Sequence, residues 1–192
     1  MNKFEVSRKK FLDAMEKFEN DAAERMDILD SPVESPEKQK AKFKLQIQED
    51  FKTLNHMYEL GFKHIENELS ECDPIFHTTL QIWQLIHSID LENLEIPVYD
   101  LELMEKEGSD VPFLQDQLKI SDELLLAMFG ASQSLFDKKE YEKTKLACTV
   151  LCALNPKVGE FWFQWGQSLQ KTKHYEEALF TYLMAIDLNP ED

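Results

Sequence analysis

The stretch Gly159–Asp192, GEFWFQWGQSLQKTKHYEEALFTYLMAIDLNPED, decides the fold of this chain. Its apolar residues recur at three- and four-residue spacing, which predicts one helix over about residues 160–171 and another over about residues 175–188. Gly166 is small where the two helix backbones must approach each other closely. Pro190 ends the second helix because proline has no N–H and blocks its continuation. The residues predicted to share the inner face of the first helix are Trp162, Trp165 and Leu169.

A second, weaker copy of this hairpin precedes the first. Pro156 lies 34 residues before Pro190, and the same step separates Tyr141 from Tyr175. One hairpin cannot bury its own apolar face, so two neighbouring copies that stack on each other are expected. The earlier copy, residues 125–158, has small side chains where close packing requires them. These are Ser132, Thr144 and Cys148, in place of Gly166, Ala178 and Tyr182.

The later copy resembles a tetratricopeptide repeat, whose pattern is W-x2-L-G-x2-Y…A-x3-F…P over about 34 residues. Trp162, Gly166, Ala178 and Pro190 fall in register with that pattern. The resemblance implies a stack of helical hairpins in which the first helix of each hairpin lines a concave face.

The whole chain is expected to be all-α, with an N-terminal helical hairpin or bundle followed by a short helical-repeat solenoid. Its 192 residues contain only five glycines, and helix-favouring residues dominate long stretches. We expect an N-terminal helical region over residues 1–90, an acidic linker over residues 91–120 and two repeats over residues 121–192. The two repeats are residues 125–158 and 159–192. Since solenoids usually contain about three repeats, we also expect the natural chain to continue past Asp192.

The N-terminal region has its own start signals for helices. Helices are expected over residues 3–29, 36–71 and 74–90, the first two pairing as a hairpin and the third well buried. Ser35, Asp73 and Ser121 are predicted to cap the helices that follow them. Gly61 is a weak point in the second helix because glycine costs about 1 kcal/mol relative to alanine. His64 and Glu68, four residues apart, are predicted to form a surface pair.

The net charge and the lack of evident targeting signals limit which partners and which cellular compartment are expected. The net charge of −16 argues against nucleic-acid binding, which needs basic residues to neutralise phosphates. No apolar run approaches the roughly 20 residues that span a bilayer, and no signal peptide is evident. Residues 73–124 contain 12 acidic and two basic residues, which fits either a solvated linker or a docking surface for a basic partner. We expect a cytoplasmic protein that does not insert into membranes.

Catalysis is not expected. The chain lacks the motifs of nucleotide-binding enzymes, zinc proteases and serine hydrolases, and no histidine follows a glutamate by three residues as in di-metal bundles. Cys148 and Cys152 are four residues apart, but two further metal ligands are not evident, so both are predicted to be small core residues. We expect no catalytic residue, no metal and no cofactor.

The concave face is the candidate binding site. The repeat register places three phenylalanines in this concavity, and each gains roughly 1.5–3 kcal/mol when buried. Either the N-terminal helices cover these rings, or an extended apolar peptide docks there while glutamines bond its backbone. A charged C-terminus would find only Lys171 as a cation. The predicted contact residues are Leu126, Phe129, Gln133, Phe136, Phe163, Gln167, Gln170 and Lys171.

Residues 119–192 also resemble the TPR-type (class II) chaperones of bacterial type III secretion, which hold translocator proteins before export. The resemblance rests on ISDELLLAMFGASQSLFDKKEYEKTKLACTVLCALNP and on the following EFWFQWG run. It implies a cytoplasmic, non-enzymatic protein that binds an extended client segment and forms a homodimer through the part before the repeats. Carried over by position, the resemblance implies client contact at Phe129, Phe136, Phe163 and Gln167.

The sequence therefore predicts a chaperone or adaptor that binds an extended, partly apolar client segment. The alternative is an oligomeric structural scaffold. In that case the N-terminal hairpin drives self-association, and the repeats stack only on other copies of the chain.

Overall fold

The structure, a computed structural model, describes residues 20, 22–24, 35–87 and 113–189. Within these ranges the regular elements are α-helices and there is no strand, which confirms the all-α prediction. The predicted helix over residues 3–29 lies outside the described residues, apart from residues 20 and 22–24, which are helical. The helices are α1 Pro36–Cys72, α2 Pro74–His87, α3 Leu114–Gln117, α4 Asp122–Asp137, α5 Tyr141–Leu154, α6 Gly159–Lys171 and α7 Tyr175–Leu188.

Three helices begin at the predicted capping residues. Oxygens of Ser35, Asp73 and Ser121 accept the backbone N–H of the residue three positions later, at 3.4, 3.2 and 3.2 Å. Each contact satisfies one of the N–H groups that the first turn of a helix leaves without a partner. These predicted helix starts are confirmed.

Close contacts group α1 from His56 onward with α2 to α7 into one compact unit, whereas the earlier part of α1 belongs to a second unit. In the first of these units, α4 and α5 form one hairpin and α6 and α7 form the next, with α6 packed on α5. The predicted domain boundaries at residues 90 and 120 stay predictions.

The two hairpins turn in the same way. Lys139 has φ 64° and Lys173, 34 residues later, has φ 67°. In each turn the N–H of the next residue returns to a carbonyl near the end of the preceding helix, from Glu140 to Leu135 at 3.0 Å and from His174 to Leu169 at 2.9 Å. This left-handed turn satisfies carbonyls at the helix end and reverses the chain within three residues.

The interface between the hairpins differs in one respect from the prediction. Trp162 and Trp165, predicted on the inner face, are only partly buried and stack on each other with ring centroids 5.5 Å apart. Phe161 takes the buried place and packs against Phe129 at 5.0 Å. Trp162 instead meets the ring of Phe180 on α7, and its Nε1 donates to the carbonyl oxygen of Pro156 at 2.8 Å.

α1 packs directly on the first hairpin at Gly61. A Cβ atom at this position would lie 2.3 Å from the carbonyl oxygen of Leu146 and 2.5 Å from Cγ2 of Val150 in α5. The neighbouring side chains Phe62 and Ile65 are fully buried. The interpretation of Gly61 as a weak point is therefore incomplete, because the glycine permits the close approach of two helices.

An ion pair between a buried glutamate and an exposed lysine accompanies this contact. Glu68 is only 4% exposed, and its carboxylate accepts hydrogen bonds from Ser134 Oγ and, at 2.9 Å, from Lys138 Nζ in the turn after α4. The predicted surface pair of Glu68 with His64 is therefore wrong. The partners lie 66 and 70 residues away in sequence, so local spacing could not reveal them.

The segment before α4 is fastened to the repeats. Trp83 of α2 is buried and donates from Nε1 to the carbonyl oxygen of Leu118 at 2.7 Å. Gln115 of α3 donates to Asp122 at 2.7 Å and accepts from Asn155 at 2.8 Å.

Two elements before α4 differ from the prediction. α3 lies within the segment predicted as an acidic linker, and this helix was not predicted. α2 is also less buried than predicted, since Ile75 and Ile82 are exposed.

Gly61→Ala tests the approach of α1 to α5. Because the added methyl group would meet a backbone carbonyl, which cannot move aside alone, we expect a loss of about 1–3 kcal/mol in unfolding free energy, measured by urea denaturation. Gly130→Ala is the matched control. It meets nothing within 4 Å, so it should stabilise α4 by about 0.5–1 kcal/mol. Equal stabilisation by both substitutions would contradict the contact.

The pH dependence of stability tests the ion pair. Burial raises the pKa of Glu68, but hydrogen bonds from Lys138 and Ser134 and the lysine charge outweigh burial, so its pKa lies below the ordinary 4.5. The pair therefore stabilises the fold fully above about pH 4.5, and this contribution is lost as the pH falls through the lowered pKa. We expect the free-energy difference between wild type and Glu68→Gln, from urea titrations at several pH values, to shrink below pH 4.5. Glu71→Gln, which removes an exposed partner of the same lysine, should cost less at neutral pH.

Candidate functional site

The first helices of the two hairpins enclose a depression of about 530 Å³. Its described lining residues belong to α4 and α6, as expected for the concave face of stacked hairpins. We call it the central depression. Five of the eight predicted contact residues line it: Phe129, Gln133, Phe136, Phe163 and Gln167. The remaining lining residues are Asp137, Glu160 and Gln164.

The other three predicted residues lie apart from it. Leu126 is exposed, one turn before Phe129 on α4. Gln170 accepts a hydrogen bond from the Tyr182 hydroxyl at 2.9 Å, which commits its side chain to the α6–α7 contact. Lys171 is exposed at the end of α6. Their contact with a client stays a prediction.

Each phenylalanine of the central depression is held from behind by another ring. Phe129 contacts Phe161, and Phe136 meets Tyr141 edge-on with centroids 5.1 Å apart. Phe163 lies 5.7 Å from Tyr182 and remains 50% exposed. The rings are thus fixed on one side and open on the other, an arrangement that can bind apolar side chains without ordering flexible groups.

Gln164 is a site residue that the sequence analysis missed. Its side chain is only 5% exposed and lines the central depression. Ser132 Oγ donates to its Oε1 at 3.2 Å, and the Cys148 thiol lies 3.8 Å from the same oxygen. Among the described residues no hydrogen bond involves its Nε2, so this N–H group is available to a carbonyl in the depression. The signal in the sequence was a glutamine placed among four aromatic residues in FWFQW.

A second depression of about 500 Å³ adjoins the central one. We call it the C-terminal depression, since α6, α7 and the residue after α7 form it. It shares Glu160 and Phe163 with the central depression, so these two residues form a common wall. The other lining residues are Gly159, Tyr182, Ala185, Ile186 and Asn189. We call the two depressions together the groove.

The two cysteines of α5, Cys148 and Cys152, are buried. Burial raises the pKa of the Cys148 thiol to about 12 and also raises that of Cys152, so both stay protonated at neutral pH. Their burial confirms the prediction that they are small core residues. In residues 35–87 and 113–189, no cluster of three or more potential ligands could hold a metal ion.

The comparisons with known proteins fit this geometry. Residues 159–192 match the tetratricopeptide repeat. The matched residues form α6 and α7, and α6 supplies the wall common to both depressions. No curated protein and no solved structure shows significant similarity to the chain.

The chain therefore contains a TPR, a helical-repeat module that generally binds segments of partner proteins and is generally not catalytic. The described helices include none that is both long and apolar enough to cross a membrane.

Two phenylalanines on opposite faces of α6, Phe161 and Phe163, should respond differently to truncation. Phe161 is buried, so Phe161→Ala should cost about 3–5 kcal/mol of unfolding free energy by opening a cavity between the hairpins. Phe163 is half-exposed, so Phe163→Ala should cost only about 1 kcal/mol, mainly from the lost contact with Tyr182. Thermal or urea unfolding measures both. A larger loss for Phe163→Ala would mean that α6 is rotated relative to the described structure.

Proposed function

We propose that this protein is a chaperone of the type III secretion kind, which holds an extended apolar segment of a translocator-like client in the groove before export. The single observation that carries the proposal is the open row of aromatic rings in the central depression. Phe129, Phe136 and Phe163 are each fixed from one side and accessible from the other.

The size and chemistry of the groove suit a chain segment. Each depression has the volume of a typical ligand pocket, and the two share Glu160 and Phe163 as a common wall. Apolar side chains of the client would cover the phenylalanines, each gaining roughly 1.5–3 kcal/mol on full burial. Gln133, Gln164 and Gln167 line the same walls and can bond the backbone of an extended peptide, which has no internal partners.

The charges of the groove argue against one common class of TPR ligand. Among the residues that the structure describes, no lysine or arginine lines either depression. A free C-terminal carboxylate, which needs a cation or several N–H donors, would therefore be poorly held. An internal segment of the client fits better than its terminus.

Holding such a segment would serve the client directly. An apolar stretch that is exposed before export would associate with other chains, since contiguous exposed apolar surface promotes aggregation. When the groove covers this stretch, the solvent-exposed surface of the complex at that point is that of the acidic chaperone, whose net charge is −16. By its resemblance, we place the protein in the cytoplasm and as a homodimer formed through the N-terminal region.

A structural scaffold is the second candidate, favoured by one observation. Apolar side chains of α7 are exposed along one face, with Phe180 59% exposed. The residues of this face are Leu179, Phe180, Leu183 and Ile186. Their counterparts 34 residues earlier include Thr149 and Cys152, which are buried, so a second copy of the chain could cover this face.

A selection from a random peptide library tests the proposal. Peptides selected with the full chain should be extended and rich in apolar residues. Phe163→Ala should weaken their binding about tenfold or more, because burial of one ring is worth roughly 1.5–3 kcal/mol. Fluorescence anisotropy with labelled selected peptides gives the dissociation constants.

Phe180→Ala is the matched control, since it truncates a ring of similar exposure on α7 outside the groove. It should leave peptide binding unchanged. Loss of binding in Phe180→Ala but not in Phe163→Ala would overturn the chaperone proposal. Light scattering of the same variants addresses the scaffold, because self-association through α7 would be weakened by Phe180→Ala alone.

A further inference from the structure

The wall between the two depressions contains the carboxylate of Glu160 as well as the ring of Phe163. Glu160 lines both depressions and is exposed, and it stands at the first turn of α6 beside Phe163. On either side of this carboxylate the walls are mostly apolar: Phe129 and Phe136 toward α4, and Tyr182 and Ile186 toward α7. A segment that fills both depressions must therefore pass Glu160 between two apolar regions.

This carboxylate lacks a cation within the described structure. Glu160 and Asp137, the other acidic lining residue, take part in no ion pair among residues 35–87 and 113–189. The described lining residues of the groove include no lysine or arginine to balance them. The groove is thus apolar in its surface and negative in its charge, a combination that favours a ligand with complementary charge.

Gln164 offers a ligand one backbone hydrogen-bond donor in the central depression. It is nine-tenths buried, faces the central depression, and has Oε1 occupied by Ser132, so its Nε2 can donate to a backbone carbonyl. A donor at this position can bond the backbone of an extended segment where the segment crosses α6 beside Glu160. In an extended chain every second side chain points the same way, with about 6.6–6.8 Å between them.

We propose that the groove selects a client segment in which a lysine or arginine lies between two apolar residues, with Glu160 as the residue that recognises the cation. The expected pattern is apolar–x–basic–x–apolar, because side chains two positions apart share one face of an extended strand. This inference rests on the proposed function, namely that the groove binds an extended segment, and it adds the chemical class of that segment.

The size of the preference follows from the exposure of Glu160. Ion pairs at exposed positions contribute little, so the charge should improve affinity about two- to fivefold rather than by orders of magnitude. The preference should nearly vanish at about 1 M salt, where charges are screened beyond about 3 Å. The apolar contacts supply the affinity, and the carboxylate selects among apolar segments.

Two capped, fluorescein-labelled peptides test the inference with the full chain. Both have the sequence Gly-Ser-Leu-Ser-X-Ser-Leu-Ser-Gly, where X is lysine in one and acetyl-lysine in the other, so only the charge differs. We expect the lysine peptide to bind wild type about two- to fivefold more tightly at low salt, measured by anisotropy. Glu160→Gln should abolish this difference. Glu176→Gln, which removes the same charge from an exposed position outside the groove, should preserve it.

The outcomes separate this inference from the proposed function. If both peptides bind equally and Phe163→Ala weakens both, the charge preference is overturned and the apolar groove stands. If neither peptide binds, or Phe163→Ala changes neither, both proposals are overturned. A preference for the lysine peptide that persists in Glu160→Gln would overturn the assignment of Glu160.

Discussion

The stacking of α6 on the first hairpin is the contact on which the rest of the repeat unit depends. It is made by small, fully buried groups on α4 and α5, among them Ser132 and Cys148, and by the ring of Phe161 against Phe129. Larger side chains at the small positions would hold the helices apart, since interiors are packed nearly as densely as organic crystals. The concave face exists because this contact sets α4 and α6 side by side with their outer faces open.

The same contact explains why polar groups occur so close to the core. Gln164 lies between Ser132 and the groove, so one end of its amide is satisfied inside the protein while the other faces a prospective ligand. A leucine there would offer nothing to a peptide backbone and would remove the acceptor of the buried Ser132 hydroxyl. Phe161 and Phe163 are two residues apart on α6 and lie on its inner and outer faces. The buried Phe161 supports the hairpin interface, and the exposed Phe163 is available for contact with a ligand.

Local sequence patterns predicted the elements well, and they predicted the packing poorly. The helix starts at Ser35, Asp73 and Ser121 and the second repeat could be predicted because capping and a 34-residue register are properties of short stretches. Five groove residues could be placed by the same register. Gly61 and Glu68 could not be understood in this way, since their partners lie 66 to 89 residues away.

The paired indoles of α6 have a consequence for observing this molecule in solution. Trp162 and Trp165 stack 5.5 Å apart, and the edge of Phe180 on α7 closes on Trp162. Aromatic chromophores held at this separation couple their electronic transitions, so the second repeat has its own near-ultraviolet circular dichroism signal. Undocking of α7 would change the emission of these two indoles while Trp83, fastened to Leu118 by its Nε1, reports on a different part of the chain. The natural fluorophores thus distinguish the opening of the last hairpin from the unfolding of the whole unit, with no added label.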